Sequence, residues 1–155
     1  MRSPLYAVLA VAFATSLASP FAQAAGSAIF LHPDGMGANT WMATRLYSVG
    51  VDGRLAWDRL PRVALYVGPT LEAVNQSSNA GATTHAWGLR VDLEAYGTLR
   101  GEPLAQSASG FAGSLMHEAK AAGKRIAIVN SPSLTEPGTG AFLARVPNRD
   151  DEAEI

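Results

Sequence analysis

The chain contains no cysteine. No disulfide can staple it and no thiolate can ligate a metal, so any chemistry must rest on oxygen and nitrogen donors. Charge is scarce as well: charged residues are 16% of the chain and the net charge is −1. That balance lacks the basic excess that nucleic acid or an anionic membrane surface attracts, so neither is expected as a partner. Apolar length is also limited. The run Leu5 to Leu17 extends for roughly a dozen residues, short of the about 20 that span a bilayer. It follows the positive start Met1-Arg2 and precedes Ala22-Gln23-Ala24, a small-x-small site. Together these read as a secretory signal peptide over residues 1–24, cleaved near Ala24, and imply a secreted or periplasmic protein with no membrane attachment after cleavage. A retained N-terminal anchor is the alternative. Export to an oxidising compartment permits disulfides without requiring them, so the missing cysteines do not oppose it.

What is present is glycine and proline, 15 and 9 residues, in short clusters between apolar runs. Ser27 to His32, Arg62 to Val67 and Arg125 to Asn130 read as buried strands, each bounded by turn-forming residues or polar sequence. Helices are expected over Asn39–Tyr47 with Asn39 as cap, over Ala80–Trp87, and over Ser107–Ala122, where Phe111, Leu115, Ala119 and Ala122 recur at helical spacing before Gly123. Helix, glycine, then an apolar strand is the second half of a parallel βαβ unit. The alternation argues for an α/β layered fold with a largely parallel sheet. Residues 25–155 are read as one region. Its polar tail, Arg149 to Ile155, closes no sheet, and the chain is expected to be the N-terminal portion of a longer catalytic domain.

Ligands of open α/β sheets bind at the carboxyl ends of strands, and three polar loops are candidates for that edge. The first is His32-Pro33-Asp34-Gly35-Met36-Gly37. It sets a carboxylate directly after a strand, suited to zinc or magnesium, although Asp-Gly is also an ordinary turn pair. The second, Ser77-Ser78-Asn79-Ala80-Gly81-Ala82-Thr83-Thr84, leaves space around a hydroxyl where a helix starts. Serine there is either an anion-facing nucleophile or simply an N-cap. The third runs from Thr135-Glu136-Pro137-Gly138-Thr139-Gly140 to Arg149. Glu136 offers a hard oxygen donor and Arg149 a planar fork for phosphate; a solvated loop with a surface arginine is the alternative. The three histidines, His32, His85 and His117, show no ligand spacing and are expected to be structural.

Taken in order, these motifs resemble the alkaline phosphatase family over nearly all of residues 25–155. Asp34-Gly35-Met36-Gly37 is similar to that family's first-strand signature. Ser78, Ala80, Ala82, Thr83 and Gly88 fall where its nucleophile motif has the same residues, and Arg149 keeps the spacing from Glu136 to a phosphate-binding arginine (149 − 136 = 13). The resemblance implies a three-layer α/β fold with a largely parallel central sheet, and hydrolysis of phosphomonoesters through a phosphoserine on Ser78. It also implies two zinc ions and one magnesium ion, with Asp34, Ser78 and Glu136 as ligands and Arg149 as phosphate clamp. It admits a homodimer of the full-length protein. Three departures stand out. Ser77 replaces the usual Asp, Asn79 replaces an Ala, and Gly138 sits where a hydroxyl ligand to magnesium is usual, with Thr139 one residue away as the substitute donor. The family's downstream zinc ligands, including an Asp-x-x-x-His motif, have no counterpart here, so the 155-residue chain alone is expected to be inactive. Two further readings stand beside this one: a non-catalytic secreted fragment with weak anion binding, or a phosphodiesterase- or sulfatase-like relative, for which Thr83 or Thr84 is the only threonine in the right loop.

Overall fold

The structure, a computed structural model, describes residues 26–155; the expected signal peptide lies outside them. The chain divides into two units, Met1–Leu31 and His32–Ile155. Of the first, residues 26–31 are described. They are exposed and form no strand, so the expectation for Ser27–His32 is corrected there.

In the second unit, α1 (Ala38–Ser48) follows the turn at Asp34-Gly35. Gly37, not Asn39, is its N-cap, and no side chain caps it. Arg45 ties α1 to the 3-10 turn Ala56–Arg59: its Nη2 lies 2.6 Å from Asp58 Oδ1, and its Nη1 donates to the Gly53 carbonyl at 2.7 Å. This pair holds the Asp58 carboxyl below its usual range, and the Trp41 and Trp57 rings meet beside it at 5.2 Å.

The core centres on α2 (Ser78–Trp87), which packs chiefly against the single-turn α4 (Pro137–Gly140). Ala, Gly and Thr fill the helix, so its backbone approaches neighbours closely, and Ala80, Ala82, Thr83 and Ala86 are all buried. Trp87, 1% exposed, donates its indole N–H to the Ala141 carbonyl at 3.1 Å. Thr83 Oγ1 donates to the Ala95 carbonyl at 2.8 Å and accepts from Gly97 N at 2.9 Å, which fastens α2 to the segment that follows it. One buried cluster joins Trp87, Val91, Leu104 and Phe142; a second joins Ala82, Tyr96, Ala141 and Val146.

Among the described residues the only sheet is a two-stranded antiparallel hairpin, β1 (Thr98–Leu99) with β2 (Glu102–Pro103). Its two-residue loop is Arg100-Gly101, both at positive φ, the backbone that a tight hairpin turn requires. The expected parallel sheet is not seen among the described residues. Segments 62–67 and 125–130 carry no regular secondary structure and belong to no ladder. A strand completes its backbone hydrogen bonds only through a neighbour, so an apolar stretch without one forms no strand.

The expected helix over Ser107–Ala122 is shorter as well. Ser107 N donates forward to the Phe111 carbonyl at 2.9 Å, and Ala108 N to the Trp87 carbonyl at 2.8 Å. Helical bonds run backwards to residue i−4, so residues 107–111 are committed to a loop. Helix α3 is confined to Leu115–Ala121, with Ser114 as N-cap and His117 Nδ1 2.9 Å from Ser114 Oγ. The tail after Arg149 is turns, not helix.

Candidate functional site

Local sequence explains how the second loop presents its serines. Ser77 is the cap: its Oγ accepts from Ala80 N at 3.1 Å and donates to the Leu93 carbonyl. Capping therefore falls on the first serine of the pair. Ser78 occupies the first position of α2, half-buried, with no hydrogen bond to its hydroxyl among the described residues. Asn79 follows at 1% exposure. Its Nδ2 donates to Glu94 Oε2 at 3.2 Å, while its Oδ1 accepts from Arg149 Nη1 at 3.0 Å.

Arg149 therefore reaches the first turn of α2 from 70 residues further along the chain. Its other terminal nitrogen, Nη2, lies 2.6 Å from Glu136 Oε2. Both side chains of that ion pair are more than one-third exposed, and a pair so placed contributes about 0.2–1 kcal/mol. Thr135, Glu136, Arg149, Asp150 and Glu152 line a polar cavity of about 160 Å³.

Hydrogen bonds tie down the segment that carries Thr135 and Glu136. Tyr96, fully buried, donates its hydroxyl to the Thr135 carbonyl at 2.6 Å. Burial, the largest influence, pushes its phenol up to about 12, with Arg149 acting against the rise and Glu136 with it. The phenol therefore stays protonated and donating in ordinary alkaline solution. A Cβ at Gly140 would overlap that hydroxyl, which explains glycine at this point of α4. Main-chain bonds hold Glu136 in turn: its N donates to the Ser133 carbonyl at 3.2 Å, and its carbonyl accepts from Thr139 N at 3.0 Å and Gly140 N at 2.8 Å.

The three loops converge only in part. Arg149 brings together Glu136 and Asn79, the residue that follows Ser78 in sequence. Asp34 stands exposed in its turn and makes no ion pair with them among the described residues. The Thr139 hydroxyl, proposed on sequence as a substitute metal donor, is engaged by the Leu134 and Glu136 carbonyls at 2.9 and 3.1 Å and accepts from Asn130 Nδ2 at 3.1 Å. His32 and His85 meet edge to face at 4.8 Å, with the Tyr66 ring 4.9 Å from His85. Burial, then His32, lowers the pKa of His85. His117 serves the cap of α3.

The sequence reading missed Asn79 as a partner of Arg149 and noted it only as a departure. The available signal was a hydrogen-bonding side chain inside a run of Ala, Gly and Ser, where burial demands a partner.

A sequence model of the family described as alkaline phosphatase matches residues 26–155. The chain belongs to the alkaline phosphatase family. Membership supports a phosphatase-type hydrolase and the α/β class. Alkaline phosphatases are generally zinc- and magnesium-dependent, and the donor set of this chain can be tested against that. Among the described residues no three of His, Cys, Asp and Glu gather as a metal site. Glu136 is ion-paired, Gly138 has no side chain, and Thr139 is bonded to backbone. A zinc ion takes three or four protein ligands in a fixed geometry. The residues gathered here do not meet that requirement.

Proposed function

We propose that this chain supplies the phosphoryl-handling half of a phosphomonoester hydrolase, with Ser78 as nucleophile and Arg149 as oxyanion ligand. The observation that supports this reading most is the Arg149–Asn79 hydrogen bond, which brings a guanidinium to the residue beside Ser78 at the start of α2. In this reading Arg149 holds non-bridging oxygens of the phosphoryl group and orients phosphorus toward Ser78 Oγ. The Oγ–P bond forms as the bond to the leaving alcohol breaks. The serine proton passes to solvent or the leaving oxygen, and water then cleaves the phosphoserine. No described hydrogen bond prepares Ser78 to lose its proton, and serine is a weak nucleophile until something does. We therefore infer that the 155-residue chain by itself lacks appreciable turnover. A non-catalytic, anion-binding role is the second reading, and the unassembled donor set favours it.

The same proposal includes a three-layer α/β domain with a largely parallel central sheet over residues 25–155. It includes secretion or periplasmic export after cleavage near Ala24, phosphomonoesters as substrates, no nucleic-acid partner, and a homodimer for the full-length protein. N-terminal sequencing of exported protein should start at Ala25 or Gly26; a chain retained in the cytoplasm and starting near Met1 refutes the export.

The site is tested on the full 155-residue chain. Inorganic phosphate should shift the amide resonances of Ser78 and Asn79 and the guanidinium of Arg149, and Arg149→Ala should abolish those shifts. Shifts confined to other residues would refute the assignment. With zinc and magnesium added, an aryl phosphate should be hydrolysed no faster than by Ser78→Ala. Ser78-dependent turnover would show the chain to be catalytically self-sufficient.

A further inference from the structure

We propose that Glu136 is an internal carboxylate that closes the Arg149 fork, and that phosphate binds by displacing it while Asn79 keeps hold of the other guanidinium nitrogen. This rests on the reading of Arg149 as a phosphate ligand and assigns that site a built-in competitor.

The two partners of Arg149 differ in how firmly they are held. Asn79 is 1% exposed and is anchored through its Nδ2 to Glu94. Its carbonyl oxygen cannot leave Arg149 Nη1 without stranding a buried polar atom. The side chain of Glu136 is 43% exposed and leads directly into the polar cavity. Its main chain is fixed on both sides, by Ser133 before it and by Thr139 and Gly140 after it. Tyr96 pins the neighbouring Thr135 carbonyl. Opening the fork therefore requires only that the Glu136 side chain rotate into solvent, with no movement of the loop.

Charge supports the same assignment. Glu136, Asp150 and Glu152 set three carboxylates against one guanidinium in this cavity. An incoming oxyanion meets that negative field, and the oxygen nearest its binding position is Glu136 Oε2, 2.6 Å from Nη2. A carboxylate oxygen at that distance from a guanidinium nitrogen occupies the place a phosphate oxygen would take. The competitor is weak, because an ion pair this exposed is worth little, so it lowers anion affinity without abolishing it. Asn79, which replaces the family's small residue, makes the open fork keep its orientation toward the first turn of α2.

The test is titration of the full 155-residue chain with inorganic phosphate, in the presence of a chelator, by calorimetry and by guanidinium nitrogen resonances of Arg149. Glu136→Gln should bind phosphate about two- to fivefold more tightly, the range set by an exposed ion pair. Glu152→Gln, which removes the same charge from the same cavity without touching Arg149, should give a clearly smaller gain. Asn79→Ala should weaken binding about tenfold or more while α2 remains helical by circular dichroism, a loss in the range of a hydrogen bond to a charged group. Equal affinity of the wild type and Glu136→Gln, an equal gain from Glu152→Gln, or unchanged affinity in Asn79→Ala would overturn the proposal while leaving Arg149 as a phosphate ligand. Phosphate binding that is absent from every chain, or indifferent to Arg149→Ala, would overturn that reading and the proposal together.

Discussion

Around α2 and α4, Trp87, Tyr96, Ala141 and Val146 are withdrawn from water, whereas in segment 62–67 Val63 is 92% and Leu65 89% exposed. Both regions are apolar, so hydrophobicity does not separate them. What differs is the availability of partners. Residues 78–87 bring small side chains that let α4 approach, and the indole of Trp87 and the hydroxyls of Thr83 and Tyr96 each find a backbone partner. Among the described residues segment 62–67 forms no strand pairing, and apart from the Tyr66 ring, 4.9 Å from that of His85, its side chains stand exposed. Segment 125–130 lies between the two cases: Ile126 and Ile128 are half-buried, Ile128 against the Trp87 cluster, while the alternate residue Val129 is 88% exposed. That period of two is the pattern of an extended chain with one face covered.

The contrast can be broken most forcefully at Trp87. Trp87→Ala removes the largest fully buried side chain and leaves the Ala141 carbonyl without its donor; it should cost about 3–5 kcal/mol and abolish cooperative unfolding in a marginal domain. An unfolding midpoint close to wild type, followed by circular dichroism, would mean that this region is not the core. Gly140→Ala drives a methyl group into the Tyr96 hydroxyl and should cost about 1–3 kcal/mol by overpacking. The double variant with Tyr96→Phe should recover part of that loss, and no recovery would place the clash elsewhere.

A pH series sharpens the comparison further. Because the folded-state pKa of Tyr96 is raised from 10.0 to about 12, the folded chain holds its phenol proton more tightly than the unfolded chain does. The stability this confers is complete below pH 10 and is lost as pH rises through about 12. Denaturant midpoints should fall over that interval in the wild type and fall less in Tyr96→Phe; parallel curves would contradict the buried, donating phenol. The smallest effect belongs to the uncovered region. Leu65→Ser should change stability by within about 0.5 kcal/mol, as surface substitutions do, and should reduce light scattering by the concentrated chain. A loss as large as that of Trp87→Ala would reveal a covering layer for segment 62–67.

Much of the helical content was legible in the sequence. Both α1 and α2 appear within two residues of their expected bounds, because glycine and small polar residues near their starts and Gly88 after α2 act locally. Gly123 also marks the end of α3. The error over residues 107–113 arose because Phe111 shares a helical period with Leu115, although its carbonyl accepts from Ser107 N in a loop. The strands were legible only as apolar extended segments. At the candidate site, Ser78, Glu136 and Arg149 were singled out by residue type and order, and Arg149 pairs with Glu136. Asp34 remains apart, and Asn79 went unrecognised because its partners lie 15 and 70 residues away.

The amino-acid order alone determined where α1 and α2 form, which loops carry hydroxyl, carboxylate and guanidinium groups, and which family the chain resembles, since turn chemistry and short motifs are properties of neighbours along the chain. Only the tertiary structure decided that Asn79 and Glu136 share the Arg149 fork, and that among the described residues segments 62–67 and 125–130 pair with no strand. Each of those outcomes depends on which distant groups arrive within hydrogen-bonding range, about 3 Å, and no local pattern encodes that.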